Sequence, residues 1–352
     1  MMKVLHSADW HLGAPMARWG DDARQALASV PGKIASLVRS QACDLVLLAG
    51  DLFDGQPTRE TFAQFRNTLE EMAVPVCISP GNHDFVTPDS VWQTEAFPGN
   101  VHIFKQPLPE FIILKDLDCR IYGAGYNSMD CPPLLRNFRA EGSERHVLGL
   151  FHSDPMLRSS PYCPITADQV QESGLDYLAL GHIHRTGSFR AGSTLCAWPG
   201  CPMGRGYDEC GEKGVLLVTL EENANIRFLP LDLPRFHDLT VSAENNPAAA
   251  LCRALPPAAV NDYFRITLTG EWEQPAPEAM NQQFSQYRHL ELIDRTTPPV
   301  DLWAGAGDDT LEGLYFQLLR ARMEQEPAKA DLARLAARLS RAILDGQEVT
   351  LP

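Results

Sequence analysis

The sequence lacks any apolar run long enough to span a membrane. Its first residues, Met1-Met2-Lys3-Val4-Leu5-His6-Ser7, lack the uninterrupted apolar core of a signal peptide. Both absences point to the cytoplasm. No C-x-x-C pair occurs among the nine cysteines. They are scattered, some inside apolar runs (Cys43, Cys77), so reduced thiols are expected, and Cys196, Cys201 and Cys210 are not expected to hold structural zinc. Internal repeats and low-complexity tracts are missing too, and a composition of 44% apolar and 21% charged residues suggests neither disorder nor a fibre. Positive charge is scarce: 30 Lys and Arg stand against 45 Asp and Glu, a net charge of −15. Proteins that grip nucleic acid through their own surface usually show a basic face. Any such contact here needs a local basic groove or a partner that supplies the grip.

At 352 residues the chain fits a large catalytic domain with one or two smaller elements. Strands are predicted at Lys3–Ser7, Asp44–Ala49, Val74–Ser79, Arg120–Ala124, His146–Phe151 and Asp176–Leu180. Helical patterns occupy Asp22–Gln41 and Thr58–Met72, the latter with Phe62, Phe65 and Leu69 on one face, a candidate dimer contact. Runs such as Leu45-Val46-Leu47-Leu48 are apolar throughout, as strands covered on both faces are, and the alternation reads as an α/β sheet. Gly214–Leu220 and Asn225–Leu229 read as a hairpin. The predicted organisation is a main domain over 1–232, a small α+β domain over 233–295, a Pro- and Gly-rich linker over 296–308, and amphipathic helices within 309–346. The helical stripes are Leu311, Leu314, Leu318 and Met323, then Leu332, Leu335, Leu339 and Ile343.

Five polar clusters follow directly on predicted strands: Asp9-Trp10-His11, Gly50-Asp51-Leu52-Phe53-Asp54, Gly81-Asn82-His83-Asp84, His152, and Gly181-His182-Ile183-His184. The carboxyl ends of strands in an open α/β sheet line one edge, where ligands gather, so the clusters are expected to converge. A single Gly-Asp turn or His pair is usually structural; five in register point to a metal site. Carboxylate, imidazole and amide oxygen together suit manganese, iron or zinc better than calcium or magnesium. Asp9 and His11 can bend round one ion, Asp51 sits in a turn where a carboxylate can bridge two, and Asn82 offers a neutral oxygen. His83, beside Asn82, is the candidate general acid, with Asp84 or Asp54 to orient it. The remaining histidines (His6, His102, His146, His237, His289) read as core or surface residues. Arg185, Arg205 and Lys213 read as part of a solvated loop, with phosphate contact as the alternative.

The ordered series D-x-H, GD-x-x-D, GNH-D, H and GH-x-H resembles the calcineurin-like metallophosphoesterases, and its form here resembles the SbcD branch in particular. Ala197–Tyr207 and Gly211–Val215 resemble YhaO-type relatives, and the motifs together cover residues 3–220. The resemblance implies a four-layer αββα sandwich with a small α+β capping domain and C-terminal helices. It implies one metal held by Asp9, His11, Asp51 and His184, a second held by Asp51, Asn82, His152 and His182, and His83 as acid. Two divalent ions per chain, manganese, would support exonuclease and single-strand endonuclease cleavage of DNA in repair. A homodimer and an SbcC-like coiled-coil ABC ATPase partner are implied as well. The terminal stripes would dock that partner or pack on their own domain. The Pro- and Ser-rich Ser153–Pro164 loop departs from the family pattern. Two alternatives keep the same fold: a small-molecule or cyclic-nucleotide phosphodiesterase or phosphatase, and a non-catalytic scaffold. The filled ligand positions count against the scaffold, and a cap beside the site favours a polymeric substrate.

Overall fold

The computed structural model describes residues 1–243, 246–272, 280 and 282–347. Within the predicted 233–295 domain, positions 244–245, 273–279 and 281 lie outside the described residues. The chain divides into two compact units, one of Met1–Asp238, Pro257–Arg265 and Gln286–Glu291, the other of Leu239–Pro256, Ile266–Ser285 and Leu292–Pro352.

The first unit is a two-sheet sandwich. Strands β1 (Met2–Ser7), β2 (Leu45–Leu48), β3 (Val76–Ile78) and β4 (Val101–Ile103) pair in parallel in that order. A second sheet takes β5 (Glu110–Leu114), β6 (Cys119–Gly123), β7 (His146–His152), β8 (Tyr177–Gly181), β9 (Gly187–Ala191) and β10 (Thr194–Trp198). The chain then returns to the first sheet through the hairpin of β11 (Gly214–Leu220) and β12 (Ala224–Pro230). The two orders are β12-β11-β1-β2-β3-β4 and β5-β6-β7-β8-β10-β9.

Side chains alternate across a strand, and here both faces are apolar. Val4, Leu45 and Leu47 share a core with Leu148, Leu150, Tyr177 and Ala179 between the sheets. Leu5, Val46 and Leu48 turn the other way, into a core with residues of α1 (Gly20–Ala28), α2 (Val30–Gln41) and α3 (Arg59–Glu71). A third core on the opposite side joins Phe151, Leu178 and Leu180 to Val170 of a short helix, Ala167–Glu172. Helices, sheet, sheet and a last layer of helix and loops give the α/β sandwich.

Three expectations change. The helical pattern over Asp22–Gln41 is broken at Ser29 into α1 and α2, because Pro31 has no N–H to donate back and its ring disfavours a continuous helix. Phe62, Phe65 and Leu69 of α3 are buried in the chain's own core, against Phe53 and Phe97 among others, so that face cannot serve a dimer contact. The five strands that carry the polar clusters also belong to two sheets, not one: β1, β2 and β3 to the first, β7 and β8 to the second.

A three-stranded sheet orders Phe236–Ser242, Tyr263–Thr269 and His289–Asp294, with the helix Pro247–Ala254 after its first strand. The two terminal helices, Leu311–Gln325 and Ala330–Leu344, bury Phe316, Ala333 and Ala337. Part of each stripe stays outside: Leu311 is 87% exposed, Leu318 62%, Leu332 64% and Ile343 63%, whereas Met323, Leu335 and Leu339 are half-buried. No helix among the described residues is long and apolar enough to cross a membrane.

Candidate metal centre

The first two polar clusters are aimed by the apolar residues between their members. Between Asp9 and His11, the Trp10 ring is buried and donates from Nε1 to Ser7 Oγ at 2.8 Å. Between Asp51 and Asp54, Phe53 is buried 4.8 Å from the Phe65 ring and 5.5 Å from Trp92. Anchoring the intervening residues in the core turns Asp9, His11 and Asp51 the other way, toward one another. The loops after β1 and β2 are also tied by backbone bonds: Asp9 N donates to Gly50 O at 3.0 Å, His11 N to Asp51 O at 2.9 Å and Leu12 N to Leu52 O at 2.9 Å. Within this framework Asp9, His11, Asp51 and His182 hold φ of 55°, 47°, 51° and 87°. Side chains seldom adopt that region, and it persists where the surroundings over-determine it, typically at functional sites. Gly81 is required for a different reason: a Cβ there would collide with Asp51 Oδ1.

Seven side chains meet at the ends of β1, β2, β3, β7 and β8. His152 Nδ1 donates to the Ala49 carbonyl at 2.8 Å. A carbonyl only accepts, so in the neutral ring Nε2 carries a lone pair. That nitrogen lies 2.9 Å from Asn82 Oδ1 and 3.3 Å from Asp51 Oδ2, and His182 Nδ1 lies 3.3 Å from the same Asn82 oxygen. On the other side His11 Nε2 and His184 Nε2 face each other at 3.3 Å. Their Nδ1 atoms point away, to Asp54 at 3.3 Å and Glu209 at 2.6 Å. Asp9 joins His11 and His184 in one group whose ligand atoms lie within 4.8 Å of one another, and joins Asp51 and His152 in another. Lone pairs aimed at one another need a proton or a metal ion among them. The mixture of carboxylate, imidazole and amide oxygen therefore fits divalent metal ions. His11, Asp51 and His83 form a further group within the same reach.

Electrostatics agree. Asp9 and Asp51 are each 1% exposed. Burial pushes the Asp9 pKa up. Burial acts likewise on Asp51, but His152, His11 and the His83 N–H outweigh it and hold the carboxyl below its ordinary range. Burial opposes charge on His152, yet Asp51 beside it carries its pKa up to about 9. His182, mainly by burial, is pushed down to about 4. Positive charge must therefore accompany the buried carboxylates.

His83 stands at the rim, its side chain 42% exposed, with Nδ1 3.2 Å from Asp54 Oδ1. Its backbone N–H donates to Asp51 Oδ1 at 2.8 Å. Of the two carboxylates open as its partner, Asp54 is the one in place. Asp84 is taken up elsewhere: Oδ1 accepts from Gly81 N at 2.7 Å, and Oδ2 from Leu52 N at 2.8 Å and Phe53 N at 3.3 Å. It staples the loops after β2 and β3 together, and burial, followed by repulsion from Asp51, raises its pKa to about 7. The Ser153–Pro164 loop folds back through Asp154 N to Tyr162 O at 2.9 Å, placing the Tyr162 ring 4.6 Å from His182.

The reading of Arg205 and Lys213 as a solvated loop is corrected. Lys213 is 8% exposed and donates to the His184 carbonyl at 3.0 Å. Arg205 is paired with Glu209 at 3.0 Å. Arg185 is exposed. Glu209 itself escaped the sequence reading, since a lone glutamate in a Gly-rich loop, 25 residues after His184, carries no local signal.

The profile of the calcineurin-like phosphoesterase family matches residues 2–186. The uncharacterized metallophosphoesterase YhaO of Bacillus subtilis is 32% identical over 262 residues, 68% of this chain and 61% of YhaO. The SbcD component of nuclease SbcCD from the same organism is 22% identical over 260 residues, 62% of this chain and 66% of that protein. The chain thus spans less than two thirds of either relative. Among solved structures, a dimetal phosphatase from Danio rerio superposes with a TM-score of 0.42 at 12% identity, covering 64% of this chain and 95% of that one.

Proposed function

Since this chain belongs to the calcineurin-like phosphoesterase family, we propose that it is a two-metal phosphodiesterase that cleaves DNA, as exonuclease and single-strand endonuclease, in repair. The observation that carries this reading is the convergence of acceptor atoms from Asp9, His11, Asp51, Asn82, His152, His182 and His184, with an exposed imidazole at the rim. Asp9, His11, Asp51 and His184 would hold one ion, and Asp51, Asn82, His152 and His182 the second. The mixed oxygen and nitrogen donors suit manganese. Bound ions supply Lewis acidity toward a phosphoryl oxygen and an activated water.

The chain's own residues do the rest. Asp51 is fixed through Oδ1 by the His83 N–H, which leaves Oδ2 toward His152 and His11. His83, oriented by Asp54, gives a proton to the leaving oxygen. Asp84 holds the loops in register through its backbone hydrogen bonds.

DNA as substrate rests on the likeness to the SbcD component of nuclease SbcCD. An SbcC-like ABC ATPase resolves the charge balance of −15, because the partner then contributes the DNA grip. The exposed stripes through Leu311, Leu314, Leu318, Leu332 and Ile343 support docking of that partner. The chain works as a homodimer within that complex.

Labelled single- and double-stranded DNA, incubated with the purified protein in manganese beside His83→Ala, tests the reading. Shortened products that vanish in the variant are expected. Hydrolysis of bis-p-nitrophenyl phosphate without DNA cleavage, even with the ATPase present, would move the substrate to a small molecule.

A further inference from the structure

We propose that Glu209 and Arg205 form a positioning pair that fixes the His184 ring and couples it to the carboxylate facing His83. Its bearing on metal binding rests on reading His184 as a metal ligand; the ring's orientation does not.

The geometry around Glu209 is closed on every side. The side chain is 9% exposed. Oε1 accepts from His184 Nδ1 at 2.6 Å and from Arg205 Nη2 at 3.0 Å. Oε2 accepts from the Arg205 backbone N–H at 2.8 Å, with Arg205 Nε at 3.5 Å and Cys201 Sγ at 3.7 Å. A carboxylate that already takes the Arg205 backbone N–H and guanidinium as donors is an acceptor toward the ring as well, so His184 Nδ1 carries the proton and Nε2 presents its lone pair. That lone pair faces Asp9 Oδ1 at 3.9 Å and His11 Nε2 at 3.3 Å. The main chain is held as well: the His184 carbonyl accepts from Lys213 Nζ at 3.0 Å and from Cys201 N at 3.3 Å.

Arg205 reaches further. Its Nη1 lies 3.9 Å from Asp54 Oδ1, the oxygen that faces both His11 Nδ1 and His83 Nδ1. One guanidinium thus stands between the two carboxylates that orient the imidazoles on this side of the site. Phosphate contact is the rival role for Arg205. Its side chain is 24% exposed, and both Nε and Nη2 are turned to Glu209, so holding the carboxylates is what the geometry favours.

The test is histidine-selective 15N NMR on the metal-free protein, with manganese affinity by equilibrium dialysis beside it. In the wild type His184 is expected as the Nδ1–H tautomer. Glu209→Gln, whose amide oxygen still accepts, keeps that tautomer; Glu209→Ala loses it and weakens manganese binding by roughly 10–100-fold. Arg205→Met keeps the tautomer but shifts the His83 ring signals. An Nε2–H tautomer in the wild type would overturn the proposal, because Arg205 Nη2, 3.3 Å from His184 Nδ1, would then be the donor. An unchanged tautomer in Glu209→Ala would overturn it too, and unmoved His83 signals in Arg205→Met would remove the coupling. A tautomer lost with manganese affinity intact would leave the positioning role standing and overturn His184 as a ligand. Should Glu209→Ala not fold, Glu209→Lys read for the same tautomer takes its place, since an ammonium cannot accept.

Discussion

The two sides of the site hold their imidazoles by different means. On the side of Asn82, His152 is anchored to the Ala49 carbonyl, at the end of β2. On the side of Asp9, His11 and His184 are anchored to the side chains of Asp54 and Glu209. A backbone anchor is set by strand register, and no substitution of a partner side chain removes it. A carboxylate anchor raises the basicity of the ring but can be lost through a single change. The His152 ring shares the rigidity of the sandwich; His11 and His184 depend on a few loop residues that hold one another.

The most severe way to break this asymmetry is Asp51→Ala, because Asp51 Oδ2 lies 3.3 Å from His152 and 3.9 Å from His11 and so belongs to both sides. Both ions should be lost, and hydrolysis of bis-p-nitrophenyl phosphate should fall by at least on the order of 10³-fold, several kcal/mol of lost stabilisation. Elemental analysis after dialysis checks this, and two ions per chain in the variant would show that Asp51 is not shared. A smaller loss is expected from His83→Ala, which should retain both ions while kcat drops by roughly 10²–10⁴-fold. Metal lost on that change would instead make His83 a ligand, beside His11 and Asp51.

The mildest effect concerns His6, an imidazole anchored wholly inside the sandwich, with Nδ1 2.8 Å from Tyr177 Oη and Nε2 3.0 Å from Leu180 O. Burial pushes its pKa down to about 3 from 6.5. The unfolded chain takes up a proton below about pH 6.5 and the folded chain does not. Its contribution is therefore complete above that pH and declines as the pH falls toward 3. Between pH 7.5 and pH 5 the wild type should lose about 2 kcal/mol more stability than His6→Gln, measured by urea denaturation in chelator. Equal losses would mean that His6 is already protonated in the fold at pH 5.

The ligand clusters were legible because each stands directly after a run that is apolar on both faces, as in Leu45–Leu48 and Tyr177–Gly181. Strands β5 and β9 were not, since both lie at the edges of their sheet, where Glu110–Leu114 and, up to the buried Ala191, Gly187–Ala191 alternate between half-buried and exposed residues. That β1–β3 and β7–β8 lie in different sheets is set by strand order, which local periodicity does not encode. The choice between Asp54 and Asp84 as partner of His83 was equally closed to sequence. Both are acidic residues at the end of a ligand motif, and only tertiary distance separates them. Glu209 and Arg205 lay in a loop whose composition resembles solvated chain, and their mutual pairing made them internal.

The ligands that meet here are distant along the chain: His11 faces His184 across 173 residues, and His152 faces Asn82 across 70. Joining such remote segments requires closing long loops before any contact repays the lost entropy, so non-local sites assemble late. The pocket cannot exist until β8 has docked beside β7 and the second sheet has covered the first. A metal ion is consequently a passenger of the finished fold and not its nucleus. A chain emerging from the ribosome carries scattered aspartates and histidines with little hold on an ion until residue 184 is free to join them.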